Sequence, residues 1–158
     1  MTPRTLSDMI AGQEILTISP DENVRMACVA MAQHEIGALP VVADDGSLLG
    51  IISERDIIKR SIIVYRPSED TPVRHIMTRD PVTLPPAATP KEALEVMRRG
   101  KFRHLPVCDN GRLVGIVSIR DFDVAAMADT PTQTVVPGTL GHTRINRLRA
   151  SVPQRLHG

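Results

Sequence analysis

The sequence predicts a mixed α/β (α+β) protein built from two tandem β-α-β-β-α units, and three observations predict it. The chain repeats itself: residues 35–56 (EIGALPVVADDGSLLGIISERD) and 101–121 (KFRHLPVCDNGRLVGIVSIRD) match almost position for position. Pro40 pairs with Pro106, Val41 with Val107, Gly50 with Gly115, Ser53 with Ser118 and Asp56 with Asp121, at an offset of 66 before the turn and 65 after it. Each copy also reads as an apolar strand, an Asp/Asn/Gly turn, a second apolar strand and a polar handover to a helix. Ahead of each copy, apolar residues recur at helical spacing: Val24, Ala27, Cys28 and Met31, then Ala93, Leu94 and Met97.

Taken in order, residues 2–10 form a short helix with Leu6, Met9 and Ile10 on one side, and residues 73–77 are its counterpart before the second copy. Residues 15–18 are a short strand, and the pair Leu16-Thr17 recurs as Val82-Thr83. Ser19-Pro20-Asp21-Glu22 turns the chain, and Asn23 is an N-cap for a helix to about Gln33. In the second copy Thr89 caps, Pro90 takes the first helical position, Glu92 completes a capping box and Gly100 ends the helix. Two strands follow in each copy, then a second helix over residues 54–63 and 119–128. The copies are therefore residues 5–65 and 73–128, joined by a polar linker over 66–72. From Thr130 onward periodicity is lost between Pro131, Pro137, Gly138, Gly141 and Pro153. Residues 129–158 are expected to be a basic, loosely ordered tail with a short helix over 145–150.

The chain has 158 residues, enough for a real core, and is 42% hydrophobic but only 2% aromatic. The core must be made of Ile, Val, Leu, Met and Ala, so Met26, Met31, Met77, Met97 and Met127 read as filler. Base stacking on aromatic platforms is excluded, and no nucleic-acid motif accompanies the basic tail. No apolar run approaches the roughly eighteen residues of a membrane span, and MTPRTLSDMI lacks the apolar stretch of a signal peptide. A cytoplasmic location is expected, with no membrane and no nucleic-acid partner. Cys28 and Cys108 stand at non-equivalent places and read as small buried hydrophobes in a reducing compartment. The net charge of +1 hides an asymmetry: no acid follows Asp129, and Arg144, Arg147, Arg149 and Arg155 give the tail +4, leaving −3 on the body.

No catalytic constellation is present. His34, His75, His104, His142 and His157 lack metal-ligand spacing, and there is no Gly-rich phosphate loop, GxSxG elbow or local Cys–His signature. The chain is not expected to be an enzyme or to hold a metal or a catalytic cofactor.

The strand ending Leu-Pro-Val, the turn, and then Gly-h-h-Ser-x-x-Asp (h apolar) leading into a helix, twice over, resembles the cystathionine-β-synthase (CBS) domain. Two tandem copies look like a Bateman module, over about residues 5–128. The resemblance implies two repeats packed through their small sheets with pseudo-two-fold symmetry. It implies clefts for adenosine-containing ligands: AMP, ADP or ATP first, with S-adenosylmethionine or NAD as further members of the class. Asp56 and Asp121 would accept hydrogen bonds from the ribose diol, which suits an acceptor-only carboxylate. Ser53 and Ser118 would add a hydroxyl, and the backbone of Ile15, Leu16, Val82 and Thr83 would face the adenine. Basic residues before Leu-Pro-Val would reach the phosphates. The second copy has Arg103-His104 there and the first has Gly37-Ala38, so phosphorylated ligand should favour the Asp121 side. Arg55 and Arg120, just before the aspartates, are weaker candidates.

A plainer reading stands beside each of these. The aspartates are also first-turn acids favoured by the helix dipole, the serines are also helix caps, and Arg103 and His104 are also solvated strand residues. The function classes are thus a non-catalytic regulatory module that senses a nucleotide for a regulated enzyme, transporter or signalling protein, and a constitutive scaffold that binds none. Apolar helix faces (Ile57, Ile58, Ile62 and Ile63; Phe122, Val124, Ala125 and Ala126) point to a homodimer.

Overall fold

The computed structural model describes residues 4–126 and 144–147. Thr5 and Asp8 start helix α1 (Leu6–Ile10) with a capping box, Asp8 Oδ2 accepting from Thr5 N–H at 2.8 Å. Strand β1 (Glu14–Thr17) follows. Asn23 then caps α2 (Val24–His34), its Oδ1 accepting from Met26 N–H at 2.9 Å. Strands β2 (Ala38–Val42) and β3 (Leu48–Ser53) lead into α3 (Glu54–Ile57), which widens into a π-turn over Ile58–Ile62. A 3-10 turn (Val73–His75) and the short β4 (Thr78–Arg79) come next. Thr89 and Glu92 form the expected capping box for α4 (Pro90–Gly100). Strands β5 (His104–Asp109) and β6 (Arg112–Ser118), helix α5 (Ile119–Ala126) and strand β7 (Arg144–Arg147) complete the described chain.

The sheets are small: β2-β3-β4, β5-β6 and β1-β7. The β5-β6 hairpin is antiparallel, with His104 opposite Ser118 and a register shift after Val107. Its turn residues Asn110 and Gly111 both have positive φ, as a tight hairpin turn requires. Ahead of the first long helix in each copy, one residue outside the named strands bridges the hairpin in parallel: Ile18 bridges Val41 and Leu84 bridges Val107. In each case the backbone N–H of the bridging residue donates to the proline carbonyl of the facing strand, at 3.0 Å to Pro40 and 3.2 Å to Pro106.

Contacts divide the chain into two compact units, and the units do not follow the chain in single pieces. Among the described residues the first holds 16–45, 49–79 and 146–147, around a core of Ile18, Val24, Leu39, Val41, Ile52 and Ile76. The second holds 4–15, 46–48, 80–126 and 144–145, around Leu6, Ala93, Met97, Leu105, Val107 and Phe122. The segments preceding the two copies have thus exchanged places. Helix α1 packs with the second copy: Leu6 N–H donates to Ala88 O at 2.8 Å, and Gln13 exchanges two amide hydrogen bonds with the backbone of Ile116. The 3-10 turn and β4 pack with the first copy, where Val73 N–H donates to Glu22 O at 2.7 Å and β4 pairs with β3.

The repeated glycines make both docks. A Cβ on Gly115 would lie 2.5 Å from Ile10 Cδ1, and one on Gly50 would lie 2.7 Å from Thr78 O. Any larger residue at either place would push the covering segment off its sheet.

Four expectations need correction. Val82-Thr83 is not a strand; the pairing falls on Leu84 alone. Gly100 is the last residue of α4, and the left-handed cap is Lys101 at φ 57°. A Cβ at Gly100 would lie 2.1 Å from the Phe102 ring, so a larger residue there would have to displace that ring. Residues 144–147 form strand β7 where a helix over 145–150 was expected; a four-residue segment gains more from pairing with β1 than from one isolated helical turn. Residues 148–150, and the rest of the expected loose tail, lie outside the described residues. Ile57 and Phe122 belong to the two cores and not to exposed faces. Ile57 packs into the core, while the adjacent Ile58, about 100° further round the helix, is half exposed. Among the described residues no helix is long and apolar enough to cross a membrane.

Candidate functional site

In both copies the residue two before Leu-Pro-Val is tied to the start of the following helix. Glu54 N–H donates to Gly37 O at 3.0 Å, and Ile119 N–H donates to Arg103 O at 2.8 Å. That bond places position 37 or 103, the Ser-x-x-Asp motif and a helix N-terminus at one junction. In the first unit the junction gathers Gly37, Ala38, Ser53 and Asp56; in the second it gathers Arg103, His104, Ser118 and Asp121.

The two aspartates occupy different environments. Asp56 is buried, and both its oxygens are engaged. Oδ2 accepts from Ser53 N–H and from the Ser53 hydroxyl, each at 3.0 Å, while Asp56 N–H donates back to Ser53 Oγ at 3.3 Å. Oδ1 accepts from the Thr78 hydroxyl at 3.2 Å and lies 4.0 Å from Arg60 Nη1. Ser53 and Asp56 are a complete capping box, stapled to β4 by Thr78. Asp121 is exposed. Its Oδ2 accepts from Ser118 N–H at 2.6 Å, and among the described residues nothing donates to Oδ1.

The other expected residues distribute as follows. His104 is half-buried at the start of β5, directly across from Ser118, and Arg120 is exposed. Arg103 is exposed and lines a surface pocket of about 550 Å³ together with Lys91, Arg98, Phe102 and Ile119. Val82 and Thr83 are exposed. Arg55 sits exposed on α3. Ile15 is buried in the second unit, and Leu16 packs on the core of the first.

One residue was missed. Thr17 is fully buried, and among the described residues its hydroxyl has no hydrogen-bond partner. A buried polar atom left so costs on the order of 1–3 kcal/mol. The only sequence signal for it is its match to Thr83 in the repeat. Burial pushes both the Cys28 and Cys108 thiols up from their ordinary range, so neither is a thiolate nucleophile at neutral pH. Among the described residues no cluster of His, Cys, Asp and Glu is placed to hold a metal ion.

This paired architecture, with its twice-repeated junction, matches one family model twice, at residues 6–62 and 73–127, and the family is the CBS domain. The chain belongs to the CBS-domain family. Among curated proteins it is 34% identical over 116 residues to the CBS domain-containing protein YhcV of Bacillus subtilis, covering 73% of this chain and 81% of YhcV. Among solved structures it resembles the CBS-domain containing protein ATU1752 from Agrobacterium tumefaciens. That pair shares 35% identity and a TM-score of 0.72, over 78% of this chain and 99% of the other. It also resembles the CBS domain pair of protein MJ0100, solved with 5′-methylthioadenosine and S-adenosyl-L-methionine, at 25% identity and a TM-score of 0.69 over 78% and 99% of the two chains. The CBS matches account for both copies of the repeat.

Proposed function

We propose that this CBS-domain protein is a non-catalytic regulatory module that binds an adenosine-containing ligand at the Asp121 junction. AMP, ADP and ATP are the ligands it fits best, and occupancy is passed to a partner. The observation that carries the proposal is the exposed Asp121, whose Oδ1 has no donor among the described residues, set on a helix N-terminus at the same junction as the Arg103 backbone. A ribose diol needs an acceptor that the protein has not already used, and Asp121 offers one. The neighbouring pocket adds the guanidinium of Arg103 with Lys91 and Arg98 nearby, donors suited to phosphate. The MJ0100 pair, with two adenosine derivatives in its structure, supports the ligand class. Asp56 has no free oxygen, so the first junction is assigned a structural role. Both cysteines are free and protonated, which suits the cytoplasm.

The test is a thermal-shift screen with AMP, ADP, ATP, NAD, S-adenosylmethionine and adenosine. A ligand that binds only the native state raises the midpoint by mass action. At a concentration a hundredfold above its Kd, the stabilisation is about 2.7 kcal/mol. No shift with any of the six would favour the scaffold reading.

The same module is proposed to work as a homodimer. Beyond the π-turn, Ile62 and Ile63 are 62% and 63% exposed and Tyr65 is 94% exposed, with Ile58 and Val64 beside them. That is a contiguous apolar run of the kind that covers itself with a second copy. Light scattering after gel filtration at micromolar concentration should give twice the 17.3 kDa chain mass; a single-chain mass, with and without AMP, would refute the dimer.

A further inference from the structure

A second pocket, of about 600 Å³, lies wholly within the first unit, lined by Arg60, Arg66, Arg74 and Arg79 with His75 and Thr78. Its guanidiniums are positioned by backbone. Arg79 Nη2 donates to Arg74 O at 3.3 Å and Arg66 Nη1 to His75 O at 3.5 Å, while Arg60 Nη1 donates to Ile76 O at 3.2 Å and to Met77 O at 3.0 Å. Four consecutive carbonyls, where the 3-10 turn ends, therefore hold three guanidiniums around one basin. A carbonyl is a neutral acceptor: it orients a guanidinium and leaves its charge intact.

Carboxylates offset only part of that charge. Among the described residues, Asp21 pairs with Arg74, and Asp56 stands 4.0 Å from Arg60 with its Oδ1 already taken by Thr78. Four permanent cations thus face two carboxylates, before His75 is counted. Capping a carbonyl needs one N–H of the five that a guanidinium carries, so the remaining donors are available to an anion. Fixing the forks in advance also lowers the entropy lost on binding.

We propose that this basin binds a small polyphosphorylated anion with at least two linked phosphoryl groups. A guanidinium fork matches two phosphate oxygens, and several forks around one pocket match a chain of phosphates better than a single carboxylate. The site lies in the opposite unit from Asp121 and takes its ligand by charge, without a nucleoside, so it stands independently of the function proposed above.

The experiment is calorimetry with inorganic triphosphate at low and moderate salt. The proteins are the wild type, Arg66→Gln/Arg79→Gln, and the charge-matched control Arg4→Gln/Arg99→Gln, whose residues lie in the other unit. Arg66 and Arg79 are exposed, so the first variant should fold, which circular dichroism checks. The wild type and the control should bind, more weakly as salt rises, and the basin variant should lose about tenfold or more. Absence of binding by folded wild type at millimolar triphosphate would overturn the proposal, as would equal losses in the two variants. ATP and adenosine run in parallel identify the source. ATP binding as tightly as triphosphate, and weakened by the same variant, supports a nucleotide tail as occupant, and ATP binding more weakly supports the free anion. Adenosine reports the Asp121 junction alone, so a failure there leaves the basin result standing.

Discussion

Replacing Asp56 with alanine is expected to cost about 2–4 kcal/mol of stability, the larger of the two effects that separate the twin Ser-x-x-Asp motifs. The loss combines a helix cap, typically about 1 kcal/mol, with donors left without an acceptor at about 1–3 kcal/mol. Those donors are Ser53 N–H, the Ser53 hydroxyl and the Thr78 hydroxyl, at a carboxylate that is buried. For a chain of this size the melting midpoint should fall by roughly 5–15 °C. Asp56→Asn, which keeps one carbonyl acceptor, should lie between alanine and wild type. Urea denaturation of the three proteins measures the series, and an Asp56→Ala midpoint equal to wild type would mean that the box and its Thr78 staple contribute nothing.

Asp121→Ala should behave in the opposite way. The residue is exposed and accepts only from Ser118 N–H among the described residues, so its removal should cost about 1 kcal/mol or less of stability. Nucleotide affinity should instead fall tenfold or more, since a charged hydrogen-bond pair contributes on the order of 1.5–3 kcal/mol. Calorimetry with AMP reads this directly. An unchanged dissociation constant in the variant would remove Asp121 from the ligand site while leaving any binding elsewhere intact.

The contrast between the aspartates was partly legible in the sequence. Four residues after Asp56 stands Arg60, and four after Asp121 stands Ala125. At the repeat offset, Thr78 corresponds to Gly12, which has no side chain to donate. Both differences could be read off the chain, but their meaning depended on which segment covers which sheet, and that is decided by tertiary packing. Local signals fared better. Asn23, Thr89 and Glu92 cap where their chemistry says they should, because a cap involves only residues within one turn. The basic basin was invisible for the opposite reason: its arginines are spread over twenty residues with no motif spacing, and a short run of carbonyls collects them.

The exchanged covering segments also set an order of events during synthesis. The first copy has every residue of its buried core cluster once residue 79 has been made, since its covering turn and β4 follow it directly in the chain. Helix α1 must wait for Gly115 and Ile116, more than a hundred residues later, before Ile10 and Gln13 have a surface to meet. At roughly 5–20 residues per second, that interval is on the order of 5–20 seconds. A five-residue helix cannot hold itself together in water for that time, so Leu6 and Ile10 emerge as an unpaired apolar stretch ahead of a finished first unit. The nascent chain thus carries its own exposed leading segment until the last strand of the second copy arrives to receive it.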